Sequence, residues 1–282
     1  MALEILKIAA FSYQGVGGNP AGVVFADEMP PDAEMLAIAA DLGFSETAFL
    51  VPEKDIWRIR YFAPAQEVEF CGHATIASGA ALGGKFGGGT YRLRLNAAEI
   101  TVDVHEPKPG GPFAVTLTSP PATAAPADPE VKVAALALFG LEEGDLDPHL
   151  PVYTAFAGAL HLVIGLKSRE KLAAMDYDFE AGKVFMSSQG FTTIALIRSE
   201  SERRFHARNA FAIGGVFEDP ATGAAAAAFG GYLREIGWFP GGEFEIYQGK
   251  DMGVPSRLLV SVPEAKDKGI RVSGATREMQ EN

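Results

Sequence analysis

Short runs in which apolar and polar residues alternate make up most of the chain. In the first half, residues 5–12, 21–25, 44–51 and 56–62 read as strands. Residues 91–95, 99–105 and 113–118 follow at the spacing of a meander, with a turn at 107–112. The second half repeats the pattern at 152–156, 161–165, 193–198, 244–248, 257–262 and 270–274, and residues 203–209 lead on to a later helix. Helical spacing is rarer. Leu36, Ala39 and Ala40 place a helix over 32–41, with Asp32 as its N-cap and Gly43 to stop it. Residues 131–139 read as a helix ending at Gly140, and 168–175 as a shorter piece. Residues 14–20 are a glycine-rich loop, 63–65 a turn, and 119–129, rich in Pro, Ala and Asp, the strongest candidate linker.

Two stretches, 69–82 and 218–233, break the alternation. Each begins at a glutamate and runs into small residues with no polar face. A helix apolar on every side is a buried helix, and small side chains let neighbouring backbone come close. Each helix N-terminus carries unpaired N–H groups and a positive partial charge. If the two ends face each other, they make a site for a small anion such as a carboxylate. Each half then reads as strands, a helix, strands, a buried small-residue helix and more strands. That repetition predicts a duplicated α+β unit. The first lobe is expected over residues 1–119 and the second over 120–264, with a last strand at about 265–282 returning to the first.

The chain has 282 residues, 48% of them hydrophobic, enough for a substantial core. A net charge of −12 disfavours nucleic acid and anionic membrane as partners. No apolar run approaches a membrane span. The first ten residues show no signal-peptide pattern, so the expected location is cytoplasmic. One cysteine, Cys71, allows no internal disulfide. Four of the five histidines stand apart from one another and from any cysteine, which disfavours a zinc site. The glycine-rich stretches 15–18 and 83–89 match neither a dinucleotide fingerprint nor a phosphate loop, so no cofactor is expected.

Three residues could carry chemistry. By period two, Glu46 shares a strand face with Phe44, Ala48 and Leu50. A carboxylate there is desolvated, which suits a group that takes and returns a proton near neutral pH. The bland alternative is a strand-end Glu paired with an arginine. His73, following Gly72 at a helix start, could relay a proton or polarise a carbonyl as neutral imidazole, or simply cap the helix. Asp219 before Pro220 reads first as an N-cap with proline at the first helical position, although such a cap can still turn an oxygen to a ligand. Cys71 is a thiol at a helix start, where a thiolate is favoured. A small buried residue is the simpler reading, because a two-thiol epimerase needs a second cysteine. Asn19 could orient a carboxylate or a base.

Gly18-Asn19-Pro20, Ser45-Glu46-Thr47, Arg60-Tyr61-Phe62-Ala63-Pro64, Phe70-Cys71-Gly72-His73-Ala74-Thr75 and Glu218-Asp219-Pro220-Ala221-Thr222-Gly223 occur in this order. Together they resemble the phenazine-biosynthesis-like family, PhzF, over nearly the whole chain. The resemblance implies a diaminopimelate epimerase-like fold, with two pseudo-symmetric lobes, each a rolled, mostly antiparallel sheet around a central helix, and an active site between them. It also implies isomerisation without a cofactor, by acid–base proton transfer. The family glutamate falls on Glu46, the proton carrier. The family histidine falls on His73 and the aspartate on Asp219, both positioning substrate and assisting proton movement. Asn19, Gly72, Thr222, Gly223 and Ala224 fall at substrate-binding positions, no metal is implied, and a homodimer is expected. Phenazine-pathway members carry serine where this chain has Ala224, which argues against the phenazine substrate itself. The expected function is a PhzF-like isomerase acting on a small carboxylate-bearing metabolite. The rivals are an amino-acid epimerase or racemase, and a non-catalytic binding protein of the same fold.

Overall fold

The computed structural model describes residues 3–96, 98–106 and 113–279. The chain divides into two compact units, Met1–Thr118 with Ser273–Asn282, and Ser119–Val272. The turn expected at 107–112 lies outside the described residues.

The first unit runs β1 (Glu4–Ser12), β2 (Asn19–Phe25), α1 (Asp32–Leu42), β3 (Thr47–Glu53), β4 (Ile56–Ala63), β5 (Gln66–Val68), α2 (Gly72–Phe86), β6 (Gly89–Arg94) and β7 (Glu99–His105), and reaches into β8 (Ala114–Pro121). β1 and β2 form an antiparallel hairpin in which Ala10 lies opposite Asn19. β2 then pairs parallel with β3, Gly22 opposite Thr47, so a crossover is needed and α1 supplies it. β3 and β4 are antiparallel. β5 folds back on β4 as a short hairpin, and β6 pairs parallel with β4. β7 and β8 complete the meander. The chain end pairs antiparallel with β1, Ile8 opposite Glu278.

The second unit repeats this scheme. It runs β9 (Thr123–Pro126), α3 (Pro129–Leu138), β10 (Tyr153–Phe156), β11 (Leu160–Gly165), α4 (Arg169–Ala173), α5 (Phe179–Gln189), β12 (Thr193–Ser201), β13 (Arg204–Ala210), β14 (Glu218–Asp219), α6 (Gly223–Glu235), β15 (Gly242–Gln248) and β16 (Ser256–Val262), and ends within β17 (Gly269–Glu278). β10 and β11 are antiparallel. β11 and β12 are parallel, and β12 and β13 antiparallel. β14 is the short hairpin, β15 pairs parallel with β13, and β16 closes antiparallel on β15. β10 to β16 thus match β1 to β7 pairing for pairing, and α6 occupies the position of α2. The fold is α+β and duplicated.

Both central helices are buried along most of their length, from His73 to Gly83 in α2 and from Ala225 to Arg234 in α6. Their small residues are there for close approach. A Cβ on Gly79 would sit 2.6 Å from Val115 Cγ1, and one on Gly231 would sit 2.5 Å from Ala122 Cβ. α1 covers a separate apolar cluster of Val24, Met35, Ala39, Phe49 and Phe62. In the second unit Phe229 of α6 stands edge-on to Phe205 with ring centroids 5.0 Å apart. Such a pair adds about 0.5–1.5 kcal/mol beyond the area it buries.

Several expectations are corrected. Asp32 is the first residue of α1 and not its cap; its carboxylate accepts from Arg60 at 2.7 Å, and Pro31 precedes the helix. Residues 119–121 end β8 and 123–126 form β9, which pairs with β10, so the proline- and alanine-rich stretch is mostly strand, and the boundary between the two units falls at its start, between Thr118 and Ser119. α5 was not anticipated; its polar outer face masks its apolar spacing, and only Gly182 and Met186 are buried. No helix among the described residues is long and apolar enough to cross a membrane.

Candidate active site

The N-terminus of α2 is set by a buried hydroxyl chain. Thr75 Oγ1 donates to the Cys71 carbonyl at 2.7 Å, and Tyr61 Oη lies 2.6 Å from the same Thr75 oxygen. Because the Thr75 hydrogen is spent on the carbonyl, the Tyr61 hydroxyl donates to Thr75. Burial pushes the Tyr61 phenol far above its ordinary value, so it stays a donor. Cys71 itself is the N-cap residue, in extended conformation and with no side-chain cap, so α2 begins at Gly72 with His73 second.

Glu46 is not in the strand. It precedes β3, which starts at Thr47, so period-two alternation does not govern its direction. Its carbonyl accepts from Gly22 N at 3.3 Å, which ties the residue to β2. Its side chain turns to the start of α2, where Oε2 lies 3.4 Å from His73 Nε2. Glu46 is 8% exposed and His73 6% exposed, so both groups are largely withdrawn from water. Glu46 Oε2 is within ion-pair reach of the imidazole but has no hydrogen-bond partner. The imidazole is bracketed by two further groups, Ser45 Oγ at 3.2 Å from Nε2 and Cys71 Sγ at 3.3 Å from Nδ1.

Asp219 also departs from its expected place. It ends β14, opposite Asn209, and is not the N-cap of α6; that position belongs to Thr222. The cap carries no side-chain bond to the helix. Thr222 Oγ1 instead donates to Asp219 Oδ2 at 2.5 Å. Gln248 of β15 ties the group together. Its Nε2 donates to the Asp219 carbonyl at 2.6 Å, and its Oε1 accepts from Thr222 N at 3.2 Å. Gly223 and Ala224 form the first turn of α6. Behind Asp219, the Glu218 carboxylate is held by Arg208, whose Nε lies 3.0 Å from both carboxylate oxygens and whose Nη1 donates to the Ala173 carbonyl at 2.8 Å. Burial alone would lower the Arg208 pKa; the bond and charge of Glu218, with the charges of Asp251 and Asp176, together offset it, and the guanidinium is held above its ordinary value.

The first unit therefore gathers Glu46, His73 and Gly72, and the second gathers Asp219, Thr222, Gly223 and Ala224. Asn19 opens β2 and is buried at 1% exposure. Ser45, Cys71 and Gln248 are additional members. Ser45 lies within one of the quoted motifs, and Cys71 was weighed from the sequence as a helix-start thiol. Gln248 lies 29 positions beyond Asp219, and nothing local marks it.

Comparison with known proteins places this arrangement. Solved structures that superpose on the chain include a predicted epimerase from Pseudomonas aeruginosa, 25% identical with a TM-score of 0.86, covering 99% of this chain and 98% of that one. A phenazine biosynthesis protein of the PhzF family from Bacillus anthracis, 24% identical with a TM-score of 0.85 over the same shares, has the same fold. The uncharacterized isomerase YfhB of Bacillus subtilis (strain 168) is 30% identical over 270 residues, which cover 93% of this chain and 91% of that one. Fold and relatives define an isomerase. The phenazine biosynthesis-like model, PhzC-PhzF, matches residues 8–281, and the chain belongs to that family.

Proposed function

We propose that the protein shifts a proton within a small carboxylate-bearing metabolite, with Glu46 as the proton carrier. The carboxylate removes a proton from a carbon beside an activating group. The electron pair moves into that group, and the neutral acid returns the proton to a second carbon. Glu46 ends the cycle ionised, so atoms and charge balance. The observation that carries the reading is the buried Glu46 Oε2, which has no hydrogen-bond partner and lies 3.4 Å from His73 Nε2. An oxygen with no donor keeps its lone pairs available to take a proton. His73, steadied by Ser45, is assigned to orient the substrate and steer the proton. Asp219, braced by Thr222 and Gln248, is proposed as a second contributor to turnover. N–H groups at the start of a central helix can donate to a carboxylate.

A second reading, epimerisation at one carbon, is favoured by Cys71, whose Sγ lies 3.3 Å from His73 Nδ1. Glu46 and Cys71 then give two proton-bearing groups around one imidazole. One experiment separates the readings. A panel of small carboxylates is incubated with the enzyme in D2O and followed by NMR and chiral chromatography. Deuterium at a second carbon with a moved double bond supports isomerisation. Deuterium at one stereocentre with loss of optical purity supports epimerisation. Binding of a panel member without any exchange contradicts both.

A further inference from the structure

We propose that Asn209 is a further substrate-contacting residue, its side-chain amide locked so that Nδ2 is offered beside Asp219 to an uncharged oxygen, hydroxyl or carbonyl, of the bound metabolite. His161, Thr193, Asn209 and Asp219 form one row on one face of the second unit's sheet. His161 lies opposite Thr193 across β11 and β12. Ala195, two residues on from Thr193 and so on the same face, lies opposite Asn209, and Asn209 lies opposite Asp219 across β13 and β14. All four side chains of the row are buried. Thr193 Oγ1 has one hydrogen and donates it to Asn209 Oδ1 at 3.1 Å, so it accepts from His161 Nδ1 at 2.8 Å. His161 Nε2, buried without a partner, is then a bare nitrogen. The reverse chain of bonds would leave a buried N–H unmade there, the costlier orphan.

The row fixes which way the Asn209 amide faces. Its oxygen is turned to β12, which leaves Nδ2 on the β14 side, with Asp219. Asn209 is 2% exposed, and among the described residues its side chain bonds only to Thr193, through Oδ1. A donor so withdrawn from water gains most from an acceptor on a ligand. Residues directly opposed in an antiparallel pair have Cβ atoms ~4.5–5.5 Å apart, so the amide and the Asp219 carboxylate serve the same patch. That carboxylate repels an anionic oxygen, and an ammonium has no lone pair for Nδ2. An uncharged oxygen suits both groups: a hydroxyl accepts from Asn209 and donates to Asp219, and a carbonyl accepts from Asn209. The substrate carboxylate therefore lies elsewhere in the site. The contact rests on Asp219 standing at the substrate, as proposed above, and not on Glu46 carrying the proton.

Two measurements test the contact, and neither reads proton exchange. A long-range nitrogen–proton correlation spectrum of isotope-labelled protein at neutral pH, with His161 assigned by its absence from His161→Asn, should show the Nδ1–H tautomer. The Nε2–H tautomer would make Thr193 donate to His161, turn the Asn209 amide over and overturn the orientation. NMR titrations then compare propionate with lactate and pyruvate, and succinate with malate and oxaloacetate. In at least one set a hydroxyl or carbonyl member should bind about three- to tenfold more tightly than its parent, the gain of one net hydrogen bond, and should shift the Asn209 Nδ2 protons. A gain by lactate or malate alone assigns a hydroxyl, and one by pyruvate or oxaloacetate alone a carbonyl. Asn209→Asp keeps an acceptor for Thr193 but lacks the N–H, so the preference should vanish in it. No preference in wild type overturns the contact, and needs no variant to fold. An undiminished preference in folded Asn209→Asp overturns it as well. A preference that depends on Asn209, in a protein whose Glu46→Gln variant still exchanges deuterium at the wild-type rate, leaves the contact standing while the proton carrier is wrong.

Discussion

His161 lies fully buried on β11, one position into a polar row that crosses three strands. Its Nδ1 is 2.8 Å from Thr193 Oγ1, and that hydroxyl donates to Asn209 Oδ1 at 3.1 Å. The Thr193 hydrogen is thereby spent, so His161 Nδ1 carries the proton and Nε2 is bare, with no partner. Protonating Nε2 would bury a charge and an unmade donor together. Burial accordingly holds the imidazole down at about 3, from an ordinary value of 6.5. Between those values the unfolded chain binds a proton that the folded chain refuses. The contribution to stability is therefore intact above about 6.5 and is lost as pH falls towards about 3. At pH ~4.5, about two units below the unfolded value, the loss is about 2.7 kcal/mol. Asn at position 161 keeps a side-chain N–H for Thr193 and cannot titrate. Urea unfolding followed by circular dichroism at pH ~7.5 and ~4.5 should therefore show wild type losing about 2.7 kcal/mol more than His161→Asn. Equal losses in the two proteins would refute the assignment of this pH dependence to His161.

Gly79→Ala gains about 1 kcal/mol of helix propensity but puts a Cβ 2.6 Å from the stiff Val115 Cγ1, so thermal unfolding should show net destabilisation by about 1–2 kcal/mol, reversed when Val115→Ala is added. Arg208→Met leaves Glu218 buried and unpaired, so urea unfolding should report a loss of about 3–5 kcal/mol. The double variant Arg208→Met/Glu218→Leu should recover most of that loss, and failure to recover would mean that the Arg208 bonds to the Ala173 and Met175 carbonyls matter more than the ion pair. Asp219→Asn keeps an acceptor for Thr222 and should fold normally while turnover on a verified substrate falls by ~10²-fold; unchanged turnover would remove Asp219 from the chemistry.

The alternating runs located nearly every strand, because a half-buried strand must alternate and these do. The small-residue runs located both central helices, because only Gly, Ala and Ser permit approaches such as that of Gly79 to Val115. What composition could not supply was pairing across sequence distance. The 119–129 stretch looks like a linker by its prolines, yet its backbone pairs with β10, a partner some thirty residues away. Asp219 has the residue type and neighbour of an N-cap, yet Pro220 and Ala221 hold it three positions before Thr222, which takes that role. The motif around Glu46 was legible, whereas its side-chain direction depended on β3 starting three residues later than alternation suggests. The closeness of Glu46 to Cys71 arises from the crossover through α1 and from the β3–β4–β5 turns, and no local pattern encodes it.

The most direct measurement is deuterium incorporation from D2O into a verified substrate by wild type and by Glu46→Gln. Glutamine keeps the shape and one carbonyl oxygen near His73 Nε2 but accepts no proton at neutral pH. The variant should fold and bind the substrate nearly as wild type does, while incorporation and turnover fall together by ~10²–10⁴-fold. A well-folded Glu46→Gln protein that incorporates deuterium at the wild-type rate would show that another residue carries the proton.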